Sequence, residues 1–90
     1  MRVEFRAEAE DDLARIYEFN MERSVGWADK VEQRLLERAG ALVTASKAGR
    51  AITKAGIRRL SVTDIQYVID YRLTDTAIEI LRFQHSREIR

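Results

Sequence analysis

The sequence predicts an α+β fold in which a helical hairpin packs against an antiparallel sheet, with the element order β-α-α-β-β-β. Two observations lead to this prediction. Apolar residues in the first half of the chain recur at helical spacing, whereas those in the second half alternate as strand residues do. The length of 90 residues is that of one domain, so we expect residues 1–90 to fold as a single unit.

The N-terminal end predicts one strand and a first helix. The stretch "RVEF" (Arg2 to Phe5) alternates polar and apolar residues. "AEAEDDLARIYEFNMER" then begins with acidic residues, which suit the positive end of a helix dipole. We therefore assign Glu10, Asp11 and Asp12 to the helix start rather than to an acid–base pair, because adjacent helical residues point in different directions. The predicted apolar face consists of Leu13, Ile16, Tyr17 and Met21.

A second helix is predicted from about Trp27 to about Ala45, with Ser24 as its N-cap. Only a few residues separate the two helices, so they should form an antiparallel hairpin. The apolar stripe of the second helix consists of Ala28, Val31, Leu35, Ala39 and Leu42, widened by Leu36 and Val43. A face this wide requires a sheet to cover it.

Three strands are predicted after a loop from Ser46 to Gly56: Ile57 to Val62, Ile65 to Leu73 and Ala77 to Phe83. The short joins between them suit hairpins. The middle strand places Ile65, Tyr67, Ile69, Tyr71 and Leu73 on one face, and Gln66, Val68, Asp70 and Arg72 on the other. The tyrosines and Trp27 fall on apolar stripes, which favours core packing over stacking on bases.

Composition argues against several classes of site. The chain has no cysteine, which excludes disulfides and thiolate catalysis, and its single histidine makes an all-protein metal site unexpected. It has no Gly-rich phosphate loop of a known spacing. We predict no metal and no cofactor. No apolar stretch could span a bilayer, and the N-terminus lacks the apolar core of a signal peptide, so we expect a cytoplasmic protein with no membrane partner.

Charge is distributed unevenly along the chain. Residues 1–46 carry 7 basic and 10 acidic side chains, whereas residues 47–90 carry 9 basic and 5 acidic ones. The second half could therefore bind a phosphate backbone or an acidic protein segment. Charge alone is equally consistent with solvation of exposed strand faces. No helix is basic enough to enter a DNA groove, so we expect no direct DNA binding.

The C-terminal stretch "RFQHSREIR" contains the only histidine, His85, among arginines. Arginines bind phosphates through two-point contacts, and a histidine can transfer protons near neutral pH. A ribonuclease site could thus form if the following residues gathered on one sheet: Arg58, Arg59, Arg72, Arg82, His85 and Arg87. The alternative is a charged sheet edge with a structural or exposed His85, and the spacing alone favours this alternative.

The order of elements and several motifs resemble the ParE branch of the RelE/ParE toxin superfamily, which includes plasmid stabilisation toxins. The motifs are "GR" (Gly49 and Arg50), "GIRRLSV", "YVIDYRL" and "IEILRFQHSR". The early "AEDDLARIYEF" resembles the first helix of that family, so the likeness covers nearly the whole chain. The resemblance implies a small bacterial toxin of a type II toxin–antitoxin system, which an antitoxin encoded beside it holds inactive in a tight complex.

Within this superfamily, the RelE branch cuts messenger RNA on the ribosome, whereas typical members of the ParE branch lack the nuclease residues and poison DNA gyrase. RelE-type enzymes tend to carry an arginine where this sequence has Val68, and their C-terminal tyrosine has no counterpart here. A C-terminal histidine occurs in both branches, so His85 does not distinguish them.

The resemblance implies three hypotheses. The first is a ParE-like toxin that is not an enzyme and binds DNA gyrase through Arg58, Arg72, Arg82 and Arg87, with no catalytic residue and an incidental His85. The second is a ribosome-dependent or free mRNA endonuclease in which His85 is the acid or base while Arg82 and Arg87 stabilise phosphate charge. The third is a non-toxic regulatory binding module. We expect a hetero-oligomer with a ParD-like, DNA-binding antitoxin, for which open sheet edges and apolar helical surface offer binding surface.

Overall fold

The computed structural model describes residues 1–89 and places two helices on one face of a five-stranded sheet. The elements are β1 (Arg2–Phe5), α1 (Ala7–Met21), α2 (Val25–Ala41), β2 (Arg50–Ala51), β3 (Ile57–Val62), β4 (Tyr67–Leu73), β5 (Ala77–His85) and a C-terminal 3₁₀ turn (Ser86–Glu88). The α+β class and the predicted order are confirmed. The two-residue strand β2 is an addition that lies within the predicted loop.

The strand order across the sheet is β1-β5-β4-β3-β2. The pairs β2–β3, β3–β4 and β4–β5 are antiparallel, but β1 runs parallel to β5, so the sheet is mixed rather than entirely antiparallel. The two helices and the first three strands of the meander lie between β1 and β5 in the sequence. A connection this long allows β5 to pair with β1 in parallel, which a short hairpin turn could not. Within residues 1–89, no helix is long and apolar enough to cross a membrane.

Helix α2 confirms its predicted stripe. Its five predicted core residues are all buried, and Ser24 Oγ accepts a hydrogen bond from the Trp27 N–H at 3.0 Å as the predicted N-cap. The helix ends at Ala41, four residues before the predicted end. Leu36 and Val43 are each 42% exposed, so the prediction that they widen the buried face was wrong.

Helix α1 buries a different set of residues from the predicted one. Of the predicted face only Ile16 is buried, and Met21 is 45% exposed. The buried line is instead Ala9, Asp12, Ile16 and Asn20. Two of these four are polar, and a search for apolar periodicity passes over them. Each has hydrogen-bond partners that make its burial tolerable.

Strand β4 begins at Tyr67, two residues after the predicted start. Ile65 is buried within the β3–β4 turn, and Gln66 adopts a φ of 63° in the left-handed region, which ends any extended conformation before Tyr67. Tyr67 and Tyr71 pack in the core as predicted, and Trp27 packs against it while partly buried.

Candidate functional site

The Asp12 carboxylate links helix α1 to strand β5 by hydrogen bonds, just beyond the point where β1 stops pairing with β5. β1 pairs with β5 only as far as Ile80, and beyond it the Phe83 N–H donates to Asp12 Oδ2 at 2.9 Å. The Arg82 guanidinium donates to both carboxylate oxygens at 2.7 and 3.1 Å, and Arg15 Nη2 donates to Oδ1 at 2.6 Å. The Asp12 carboxylate therefore accepts the Phe83 N–H, which β1 does not reach, and it also binds two arginines.

The environment of Asp12 keeps its carboxylate ionised. Burial by itself would raise the pKa of Asp12. Hydrogen bonds from Arg82, from the Phe83 N–H and from Arg15 outweigh burial, so the pKa lies below its ordinary value. The assignment of Asp12 to helix-start charge was therefore incomplete, because its carboxylate is a buried tertiary contact.

Arg58 holds the loop that precedes β2. Its Nε donates to the Gly49 carbonyl at 2.8 Å and its Nη2 to the Lys47 carbonyl at 3.3 Å. The Tyr71 hydroxyl fastens the same loop, donating to the Ser46 carbonyl at 2.8 Å and accepting from the Gly49 N–H at 2.9 Å. The guanidinium of Arg58 is thus engaged by backbone carbonyls.

The opposite face of the sheet carries ion pairs. Arg59 binds Asp70 through two hydrogen bonds of 2.7 and 2.9 Å, and these raise the pKa of Arg59 above its ordinary value. Arg72 Nε donates to Glu79 at 2.8 Å, and Arg6 reaches the same carboxylate oxygen at 3.3 Å. Register explains this grouping, because residues opposite one another on neighbouring strands share a face.

The four predicted target-binding arginines do not form one cluster. Arg58 lies opposite Tyr71 on the helix-covered side, whereas Arg72 projects from the other face. Arg82 reaches over the edge of β5 to Asp12. Arg87 lies in the C-terminal turn beside His85. Of the predicted nuclease residues, the structure brings His85 and Arg87 together and directs Arg82 to α1.

His85 is the N-cap of the C-terminal turn. Its Nδ1 accepts a hydrogen bond from the Arg87 N–H at 3.1 Å, and its own N–H donates to Glu88 Oε1 at 3.0 Å, which together form a capping box. The ring also packs edge-on against Tyr67, with 5.0 Å between centroids. In this arrangement Nδ1 already has a hydrogen-bond partner.

A half-open apolar pocket of about 420 Å³ lies between α1 and the C-terminal turn. It is lined by Arg15, Ile16, Phe19, Tyr67, His85, Arg87 and Glu88. Phe19, at its edge, is 65% exposed. Sequence reasoning passed over Phe19 because it lies off the apolar stripe of α1. Its position could have indicated an exposed aromatic residue, because a side chain off the apolar stripe does not face the core.

The described residues include no group of three or more acidic or histidine side chains that could hold a metal ion. Val68, at the position of the RelE-type arginine, is a buried strand residue with 5% of its surface exposed. The sheet therefore presents an aliphatic group where a nuclease of that branch would present a cation.

Comparison with known proteins agrees with this arrangement. A family model described as the ParE toxin of the type II toxin–antitoxin system parDE matches residues 3–90. A solved structure described as a chromosomal ParDE TA system from P. aeruginosa is similar with a TM-score of 0.85 at 26% identity, over 94% of this chain and 95% of that chain. A comparison with curated proteins found no match. The chain belongs to the ParE toxin family of type II toxin–antitoxin systems.

Proposed function

We propose that this ParE-family chain arrests bacterial growth in the cytoplasm by binding DNA gyrase, without cutting RNA. We also propose that a ParD-like, DNA-binding antitoxin neutralises it in a hetero-oligomer. Membership of the ParE family supports the toxin role and the antitoxin partner. The observation that carries the choice against an enzyme is the burial of Val68, because phosphate recognition at that position would need an exposed cation.

The partners of the predicted nuclease residues support the same choice. Arg82 is bound to Asp12 through two hydrogen bonds, and Nδ1 of His85 accepts the Arg87 N–H. Capping occupies Nδ1 of His85 and gives this residue a structural role, so any proton transfer would have to use Nε2. Two of the three residues of the nuclease hypothesis thus have structural partners.

The recognition surface proposed for the target is built from the same four arginines in unequal roles. Arg72, Arg82 and Arg87 are exposed. Arg72 is paired with Glu79 and Arg82 with Asp12, so these two would meet an acidic surface through the guanidinium nitrogens that those pairs leave free. Arg58 is half-buried and bound to Gly49 and Lys47, so we assign it the indirect role of shaping the loop that carries Arg50. Mutating Arg58 should therefore change stability as well as recognition.

Purified protein tests this function directly. We expect it to inhibit supercoiling by purified gyrase and to leave messenger RNA intact, both free and on ribosomes. Adding the antitoxin encoded by a neighbouring reading frame should restore supercoiling. Cleavage of the transcript by the wild type, lost in His85→Asn, would contradict the proposal and establish the endonuclease, because asparagine can replace the cap acceptor but cannot replace an imidazole in proton transfer.

Expression in bacteria tests the third hypothesis, the non-toxic binding module. A toxin of this type should stop growth when it is produced without an antitoxin. Normal growth, with the folded protein confirmed in the cell extract, would favour the regulatory module instead.

A further inference from the structure

In the apolar pocket between α1 and the C-terminal turn, a predicted target-binding residue meets exposed aromatic area. Phe19 forms its edge and Tyr67 part of its wall, while Arg87 projects from the turn that closes the other side. Phe19 is 65% exposed and lines this pocket, so its ring extends the apolar surface that the pocket presents to solvent.

Cations surround this apolar area. Arg15 and Arg87 line the pocket itself. Phe19 also lines a second, smaller pocket of about 310 Å³, where Arg23 and Trp27 are found. The Arg23 guanidinium stacks 4.2 Å from the centroid of the Trp27 ring. An apolar centre with a basic rim is complementary to a large apolar side chain flanked by carboxylates.

We propose that the cellular target docks here through an acidic segment that inserts one large apolar side chain beside Phe19. The inference rests on the proposed function, because it names the surface through which the toxin meets its target. A pocket of this size accommodates a single anchor residue, which is typical of the energetic centre of a protein interface. We assign the occupant to the target rather than to the antitoxin because Arg87, which we propose for target recognition, lines this pocket.

Nucleic acid fits this surface less well. The Glu88 carboxylate also lines the pocket and would repel a phosphate, whereas the C-terminal capping box fixes Glu88 in place through the His85 N–H. Most of the lining surface is apolar, and Arg15, one of the two lining arginines, is already bound to Asp12. A peptide can place an apolar side chain in the pocket and its carboxylates near Arg15 and Arg87 rather than near Glu88, whereas nucleic acid carries a phosphate at every nucleotide.

Two substitutions and two matched controls test this proposal. Phe19→Ala removes the exposed ring, and Arg87→Glu reverses the rim charge. Leu36→Ala removes a half-exposed apolar side chain on α2, and Lys54→Glu reverses an exposed charge in the loop before β3, both outside the pocket. Each protein is compared for growth arrest in bacteria, inhibition of purified gyrase, binding to the antitoxin, and thermal unfolding.

We expect Phe19→Ala and Arg87→Glu each to raise the concentration needed for half-inhibition of gyrase by about tenfold or more. The two controls should stay within about twofold of the wild type. All four variants should still bind the antitoxin. A Phe19→Ala protein that unfolds at the wild-type temperature and arrests growth at the wild-type dose overturns the proposal.

Loss of antitoxin binding with unchanged toxicity also overturns it, because the occupant would then be the antitoxin. The growth assay tests the pocket even if the target is not gyrase. If the wild type stops growth but does not inhibit gyrase, the proposed target fails. The effect of Phe19→Ala on growth then still decides whether the pocket contacts whatever the target is.

Discussion

At the residue scale, the carboxylate of Asp12 is the contact on which the joint between α1 and β5 depends. Removing it in Asp12→Ala leaves the Phe83 N–H and two guanidinium groups without their acceptor. Breaking a buried ion pair costs about 3–5 kcal/mol. We expect about 2–3 kcal/mol here, because the Arg82 side chain is 44% exposed and can return to water. Urea unfolding measures the loss, and the exposed Asp11→Ala should stay within about 0.5 kcal/mol of the wild type.

The same carboxylate predicts a dependence of stability on pH. The pKa of Asp12 is lowered in the folded state from an ordinary value of 3.8. Its contribution is therefore fully present above the pKa of the unfolded state and is lost as the pH falls through the lower folded-state pKa. The stability difference between wild type and Asp12→Asn should be constant near pH 7 and shrink below about pH 4. A difference that grows in acid would contradict this assignment.

Gly49 gives a second prediction at this scale. A Cβ atom at this position would lie 2.8 Å from Tyr71 Cε1 and 2.9 Å from the backbone of Arg59. Backbone cannot move aside cheaply, so Gly49→Ala should destabilise the protein by about 1–3 kcal/mol. Gly40→Ala is the matched control, because a Cβ there meets nothing within 4 Å, and it should stabilise α2 by about 0.5–1 kcal/mol. Thermal unfolding of both variants shows whether Gly49→Ala destabilises the protein through this close contact or whether alanine at any glycine position does so.

At the scale of elements, the sequence is informative wherever burial follows apolar periodicity. The stripe of α2 and the alternation of β4 were predictable for this reason. In α1 the buried polar residues Asp12 and Asn20 break that rule. Asn20 is bonded to the Tyr67 hydroxyl, 47 residues away along the chain, and Asp12 to the Phe83 N–H, 71 residues away. The parallel placement of β1 depends on tertiary closure, which local patterns do not encode.

The candidate site was harder to predict than the fold for the same reason. Its arginines could be named from the sequence, but the structure divides them between two faces, an edge and a terminal turn. Which carboxylate or carbonyl holds each guanidinium depends on register. A β-bulge interrupts that register in β5: Asp70 and Tyr71 pair with Arg82 and Ile80, which leaves Leu81 as the extra residue. No glycine or proline marks the bulge in the sequence.

His85 stabilises the C-terminal 3₁₀ turn as its N-cap. His85→Ala removes the acceptor for the Arg87 N–H, and loss of an N-cap costs about 1 kcal/mol. Because the turn is at the end of the domain, we expect local opening rather than global unfolding, seen as roughly fivefold faster exchange of the Arg87 amide hydrogen. His85→Asn should keep most of the protection. Ser86→Ala, in the same turn, should leave it unchanged, and equal acceleration in all three variants would show that the imidazole is not the cap.

At the scale of the whole molecule, charge follows the layers of the fold. The helical hairpin belongs to the half with 10 acidic side chains, whereas most of the sheet belongs to the basic half. Both edge strands are short: β1 has four residues and β2 has two. A partner that adds a strand at either edge, or covers exposed Met21 and Val25, would complete surfaces that the lone chain leaves in water.

This incompleteness predicts strong stabilisation by the antitoxin. A ligand that binds only the folded state stabilises it by about 2.7 kcal/mol when its free concentration is 100 times its Kd. For a domain of this length, 1 kcal/mol shifts the Tm by roughly 4–8 °C, so saturating antitoxin should raise the Tm by roughly 10–20 °C. The shift should grow with the logarithm of antitoxin concentration, as mass action requires. A Tm that stays constant while gyrase inhibition is relieved would mean that the antitoxin acts on gyrase rather than on the toxin, which the proposed complex forbids.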